Sequence, residues 1–241
     1  MATSHLPGKS HTTQPYVTGT SVVAITYKDG VMMAADTLGS YGRMARFRSL
    51  ERLMSVGNRT LVGGSGEYSD FQYIKDALEE IETADYCIDD GSSRSPSEIH
   101  NYLERVMYNR RSEVNPLWNQ LLIAGLVSGK PYLGYVDLYG TAYKDTENAT
   151  GFGAYLARPI LRSGWKGDAA GNPTLTEQEA VALLEKALKV LFYRDARTIN
   201  KVQFARVTSD GVQISPAREL ETDWSIQTYV TQAPAVFQAA Q

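Results

Sequence analysis

Three features near the start of the chain supply most of the chemistry this sequence could perform: Gly19-Thr20-Ser21, with a threonine hydroxyl behind a glycine; Asp36, closing the run Val31 to Asp36; and the cation Arg52. A threonine hydroxyl becomes a nucleophile when a neighbouring group takes its proton, so hydroxyl chemistry is what these residue types allow. Other routes are poorly supplied. The histidines are His5, His11 and His100, and the first two sit in a polar leader, which leaves little room for an imidazole base or a zinc site. His100, just past a helix-capping sequence, is expected on the surface. Cys87 stands beside the acidic loop Asp89 to Arg94 with no imidazole partner, and is expected as a partly buried apolar residue, not a thiolate. Gly63-Gly64-Ser65-Gly66 is followed by neither Lys-Ser nor Lys-Thr and lacks the spacing of a dinucleotide fingerprint, so it reads as a turn. No cofactor and no metal is expected.

The elements that must position these residues are marked by punctuation and periodicity. Val22 to Ile25 and Val31 to Ala35 flank Asp29-Gly30, a hairpin signal that places Thr20 before one strand and Asp36 at the end of the next. Leu53 to Val56 and Thr60 to Val62 flank Gly57-Asn58, which puts Arg52 at the start of a strand, and the glycine run after Val62 is expected to end that sheet segment. From Ser69, Phe71, Ile74, Leu78 and Ile81 repeat at helical spacing. A second helix begins at Ser95-Pro96-Ser97-Glu98, where Ser95 caps, Pro96 suits the first position and Glu98 completes a capping box.

Asn115-Pro116 stops that helix, after which Leu121 to Val127, Tyr132 to Asp137 and Thr141 to Tyr143 read as strands. Ala154 to Leu161 reads as a short helix before a Gly-rich loop, Ser163 to Pro173. Thr176 and Glu179 form another capping box, with Val181, Leu184, Leu188 and Leu191 as the buried stripe, and Val202 to Val207 with Val212 to Ile214 make a last hairpin across Asp210-Gly211. Strands, two helices, strands, two helices, strands is not the alternation of a parallel doubly wound sheet. The order predicts an α+β fold, a four-layer αββα sandwich of two antiparallel sheets between helical layers.

With 24 basic and 27 acidic residues among 241, the formal charge of -3 offers no global field for nucleic acid or an anionic membrane, and partners must be recognised locally. Arg43, Arg46, Arg48 and Arg52, and separately Arg110-Arg111, are expected as solvated faces or subunit contacts. The longest apolar stretches, such as Leu121 to Val127, fall far short of the roughly 20 residues that span a bilayer. One cysteine permits no disulfide framework, and a reducing compartment is expected.

Gly-Thr, a hairpin ending Ala34-Ala35-Asp36 and a basic residue before a short strand resemble the active-site framework of proteasome beta subunits, from Thr12 through nearly the whole chain. The resemblance implies an N-terminal nucleophile hydrolase fold in which cleavage of the Gly-Thr bond frees a threonine nucleophile, tuned by an aspartate and a lysine. The matching positions here are Thr20, Asp36 and, in place of the lysine, Arg52. A guanidinium stays charged at a pKa above about 12 and cannot exchange a proton as a lysine ammonium does. The family's Gly-Ser-Gly turn reads Gly151-Phe152-Gly153, and Phe152 has no hydroxyl. Tyr193-Arg194-Asp195-Ala196 is retained, with Thr198 where catalytic members carry a serine. Thr20, Asp36, Arg52, Phe152, Asp195 and Thr198 are thus expected as a degenerate site in a non-catalytic subunit. An active threonine endopeptidase using Thr20 is the alternative, and a free-standing hydrolase or binding module of the same fold a third reading.

Val17 to Ser21, Leu38 to Gly42, Arg110 to Ser112, Asn115 to Asn119 and Tyr193 to Arg197 are similar to the phrases of one non-catalytic member. What that implies is a leader over residues 1–11, cleaved before Thr12 by a neighbouring active subunit, a proteasome domain over 12–218 and a C-terminal arm over 219–241. The partners implied are the other beta subunits of a seven-membered ring, the alpha-ring subunits, and the opposite beta ring reached by the arm, in ubiquitin-dependent degradation in cytoplasm and nucleus. The arm carries Trp224, Ile226, Tyr229, Val230, Val236 and Phe237 with little charge, and folding back on its own domain is the alternative for it.

Overall fold

In chain order the computed structural model, which describes residues 14–88, 90–91 and 93–224, contains strands β1 (Val17–Gly19), β2 (Val22–Tyr27), β3 (Gly30–Asp36), β4 (Gly39–Tyr41), β5 (Met44–Phe47), β6 (Leu53–Val56) and β7 (Thr60–Glu67), then helices α1 (Tyr68–Ile88) and α2 (Pro96–Ser112). Strands β8 (Asn119–Val127), β9 (Lys130–Val136), β10 (Ala142–Lys144) and β11 (Glu147–Ala149) follow. Helices α3 (Gly153–Leu156), α4 (Arg158–Gly164) and α5 (Glu177–Arg194) come next, and β12 (Lys201–Thr208), β13 (Gly211–Ile214) and β14 (Arg218–Glu219) complete the described fold.

Two antiparallel sheets result. One runs β10-β9-β8-β7-β1-β4-β5 with β6 on β7; the other runs β11-β2-β3-β12-β13 with β14 on β12. Strands β2 and β3 are buried along their whole length, because their alternate residues serve two different cores. Val22, Ala24, Met33 and Ala35 face the other sheet, against Leu61, Leu122 and Ala124. Val23, Ile25, Met32 and Ala34 face the helix α5 residues Leu184, Leu188 and Leu191. A third core joins Phe71, Ile74 and Leu78 of α1 and Leu103 and Met107 of α2 to Val62, Leu121 and Ile123. Three cores between four layers make the αββα sandwich that the element order predicts. Each fully buried Leu or Ile contributes about 1.5–3 kcal/mol by leaving water.

Both capping boxes form. Ser95 Oγ accepts from Glu98 N at 3.4 Å while Ser95 N donates to Glu98 Oε2 at 2.6 Å, and Thr176 and Glu179 repeat the exchange at 3.3 and 2.9 Å. Such caps are worth about 1 kcal/mol each.

Several expectations are corrected. The glycine run does not end the sheet: β7 continues through it to Glu67, and a Cβ on Gly64 would stand 2.3 Å from the Phe71 ring. There the glycine brings α1 close to the strand. The short helix expected over Ala154 to Leu161 is two helices, α3 and α4, with Pro159 in the first turn of the second. His100 is buried at 3% exposure, because its position on α2 faces β9. Its Nε2 lies 3.0 Å from the Tyr135 carbonyl and its Nδ1 2.7 Å from the Tyr132 hydroxyl. Cys87 is exposed near the end of α1, beyond the stripe that packs on the sheet. Among the arginines expected as solvated, Arg43, Arg46 and Arg48 are exposed, but Arg52 is 2% exposed.

The root of the expected arm packs on the body. Glu219 lies in β14, Leu220 is in the α5 core, and Trp224 stacks edge-on against Phe192 and Tyr193, with centroids 5.7 and 5.1 Å away. Residues 225–241 and the leader, with His5 and His11, lie outside the described residues.

Candidate functional site

The chain passes from one sheet to the other at Thr20 and Ser21, between β1 and β2. Thr20 therefore sits at an open cleft of about 530 Å³ where the sheets' ends meet, lined also by Gly66, Trp118, Gln120, Phe152, Asp195 and Arg197. Asp36 arrives on the end of β3 and Arg52 just before β6.

Arg52 is held at every guanidinium nitrogen. Nη1 donates to the Thr20 carbonyl at 2.7 Å and to Gly64 at 3.4 Å; Nη2 donates to the Ser21 carbonyl at 3.1 Å, the Asp36 carbonyl at 2.9 Å and the Asp36 carboxylate; and Nε donates to the Asp36 carbonyl at 3.2 Å. The planar fork suits this set of main-chain acceptors. Its stem crosses Gly19, where an added Cβ would lie 2.3 Å from Arg52 Cδ.

Asp36 is buried beside it and accepts from Leu38 N at 3.4 Å and Ile199 N at 3.3 Å. Burial pushes its carboxyl up to about 6, outweighing the pull of Arg52 and of those two N–H groups. At neutral pH the two form a buried ion pair.

Thr20 uses its hydroxyl elsewhere. Oγ1 donates to Asp195 Oδ2 at 2.5 Å, and the other oxygen of Asp195 accepts from Arg197 N at 2.9 Å. The nearest proton acceptor is thus a carboxylate at the C-terminus of α5, and among the described residues neither a lysine nor a histidine bonds to Thr20. The nitrogen of Thr20 is an amide, joined to a strand that is paired on both sides: Thr18 opposes Ser40 and Glu67, and Gly19 opposes Gly66. The Glu67 carboxylate reinforces this segment. It accepts from Tyr16 N, from Val17 N at 3.2 Å and from Ser69 Oγ at 3.0 Å.

Phe152 reaches the cleft with 61% of its surface exposed and offers no polar atom beyond its main chain. The turn around it is secured by residues that sequence reasoning missed: Gly151 N donates to Gln120 Oε1 at 2.7 Å, and Gly153 N to Ser21 Oγ at 2.8 Å. Only the adjacency of Ser21 to Thr20 could have signalled its part. Thr198 does not line the cleft; its hydroxyl donates to the Asp195 carbonyl at 2.8 Å and the Leu191 carbonyl at 3.3 Å, closing the last turn of α5. The structure thus gathers Thr20, Asp36, Arg52, Phe152 and Asp195 and turns Thr198 away. Among the described residues no group of His, Cys, Asp and Glu could hold a metal ion, and no helix is long and apolar enough to cross a membrane.

Comparison with known proteins agrees with this framework. A family model described as proteasome subunit matches residues 16–207. The chain is 50% identical over 218 residues to proteasome subunit beta type-4 of Arabidopsis thaliana, covering 90% of this chain and 86% of that one. For proteasome subunit beta type-4 of Xenopus laevis the identity is 47% over 216 residues, with 90% and 88% covered. For proteasome subunit beta type-7 of Saccharomyces cerevisiae it is 44% over 200 residues, with 81% and 75% covered. With its two-sheet sandwich and a family match that runs from β1 into β12, the chain belongs to the proteasome subunit family.

Proposed function

We propose that this chain is a non-catalytic, structural beta subunit of the 20S proteasome core. It fills one place in a seven-membered beta ring, meets alpha-ring subunits on one side, and helps to join two half-complexes through the segment 219–241. The observation that carries this reading is the state of Arg52. A guanidinium bonded at every nitrogen to main-chain carbonyls and to Asp36 braces the junction of the sheets and has no free site for a proton. The particle acts in cytoplasm and nucleus, and residues 1–11 are a leader removed before Thr12.

One contact favours the other reading, an active threonine endopeptidase. Thr20 Oγ1 already points at a carboxylate, Asp195. Mass spectrometry of the chain from purified particles separates the two. A mature chain beginning at Thr12 fits the structural subunit, whereas one beginning at Thr20 revives the enzyme.

A further inference from the structure

Strand β5 is exposed at all four of its residues and lies at the end of its sheet, pairing only with β4 among the described residues. An open edge of this kind is a template for another chain, and proteins usually blunt it. Strand β5 is short and carries the charge of Arg46, two of the usual blunting devices, yet apolar surface remains beside them. Met44 is 58% exposed and Tyr41 and Phe47 each 40%, so apolar surface stands along the open edge.

The same hairpin carries Arg43, Arg46 and Arg48 and no acidic residue between Leu38 and Leu50, in a chain whose formal charge is -3. Among the described residues no carboxylate pairs with any of the three, while Arg94, Arg158, Arg206 and Arg218 each have one. Arg46 instead lies over the Tyr41 and Phe47 rings, at 5.9 and 5.5 Å. Three unneutralised cations among exposed aromatic side chains are complementary to one chemistry, a segment with alternating carboxylates and apolar residues.

We propose that the β4–β5 hairpin docks an acidic, extended segment of a neighbouring subunit, which adds to the open side of β5 as a strand. Main-chain bonds to β5 would hold the segment, and its carboxylates would meet Arg43, Arg46 and Arg48. The inference rests on the assembly reading above and names where one partner binds.

The test uses full-length chain incorporated into particles, with a photoreactive benzophenone side chain introduced at Met44. Irradiation is expected to yield a cross-link to one Asp/Glu-rich segment of another subunit. Particles that contain the chain but give a link to a basic or uncharged segment, or no link to another subunit, overturn the proposal and leave the assembly reading standing. A chain found only at its single-chain mass contradicts the assembly reading itself. Changing Arg43→Glu, Arg46→Glu and Arg48→Glu together should lower incorporation about tenfold or more, since like charges facing across an interface are strongly unfavourable. The matching three-lysine variant should retain incorporation, and equal incorporation of the glutamate variant, with circular dichroism unchanged, would also overturn the proposal.

Discussion

Arg52 reaches Thr20 through its main chain, not its side chain: Nη1 donates to the Thr20 carbonyl at 2.7 Å, while the Thr20 hydroxyl turns to Asp195. The cation beside the hydroxyl-bearing residue therefore fixes backbone. It stitches β3, the junction between β1 and β2, and β7 into one unit through Asp36, Ser21, Thr20 and Gly64.

Removing that stitch should be severe. Arg52→Met leaves the Asp36 carboxylate and several carbonyls buried without their donor, a change expected to cost about 3–5 kcal/mol. Arg52→Lys keeps the charge but loses the fork, and should fall between the two without yielding peptidase activity. Denaturant unfolding of the purified chain, or its yield in particles, measures the order wild type, lysine, methionine.

Gly19 and Arg52 should be coupled. Gly19→Ala sets a methyl against Arg52 Cδ, and overpacking of this kind costs about 1–3 kcal/mol. Against Arg52→Ala the same change meets an empty space. A double-mutant cycle should give an interaction energy of about 0.5–3 kcal/mol, and strict additivity would show that the stem does not lie over Gly19.

Asp36 sets a pH dependence whose sign is fixed by burial. Its usual carboxyl pKa is 3.8 and the fold raises it to about 6, so between those values the folded chain binds more protons than the unfolded one. Its contribution to stability is complete below about 4, declines as pH rises, and is gone above about 6. Relative to Asp36→Asn, which does not titrate, the wild type should lose stability across that window by up to about 1.4 kcal/mol per pH unit. A difference that stays flat from pH 4 to 6 contradicts the shift.

His100 behaves in the opposite sense. The Tyr135 carbonyl can only accept, so Nε2 carries the proton and Nδ1 accepts from the Tyr132 hydroxyl. Burial lowers its pKa from the usual 6.5, so its contribution is present above 6.5 and is lost as pH falls through the lowered value. Nitrogen NMR should find one neutral tautomer at pH 7, and His100→Gln should flatten the acid limb of the stability curve.

Hairpins and capped helices were legible because their signals are local. Asp29-Gly30, Ser95 with Glu98, and Thr176 with Glu179 act within a few residues, and each forms as its spacing demands. Strands β4, β5 and β11 were not: each is only three or four residues long, too short for an alternation to show, and β5 is exposed at every residue. His100 was misplaced because the capping signal says where α2 starts but not which face meets β9. At the site, resemblance brought Thr20, Asp36 and Arg52 together in advance. The Thr20–Asp195 contact spans 175 positions, and the use of Arg52 as a main-chain staple exists only once the sheets are closed.

Treating purified particles with an electrophilic peptide that acylates or alkylates catalytic threonines, and then weighing this chain, tests the central assignment most directly. The predicted result is an unmodified mass, in particles whose peptidase activity the reagent abolishes. A single adduct mapped to Thr20 would mean that the guanidinium at Arg52 does not preclude catalysis, and would contradict the account.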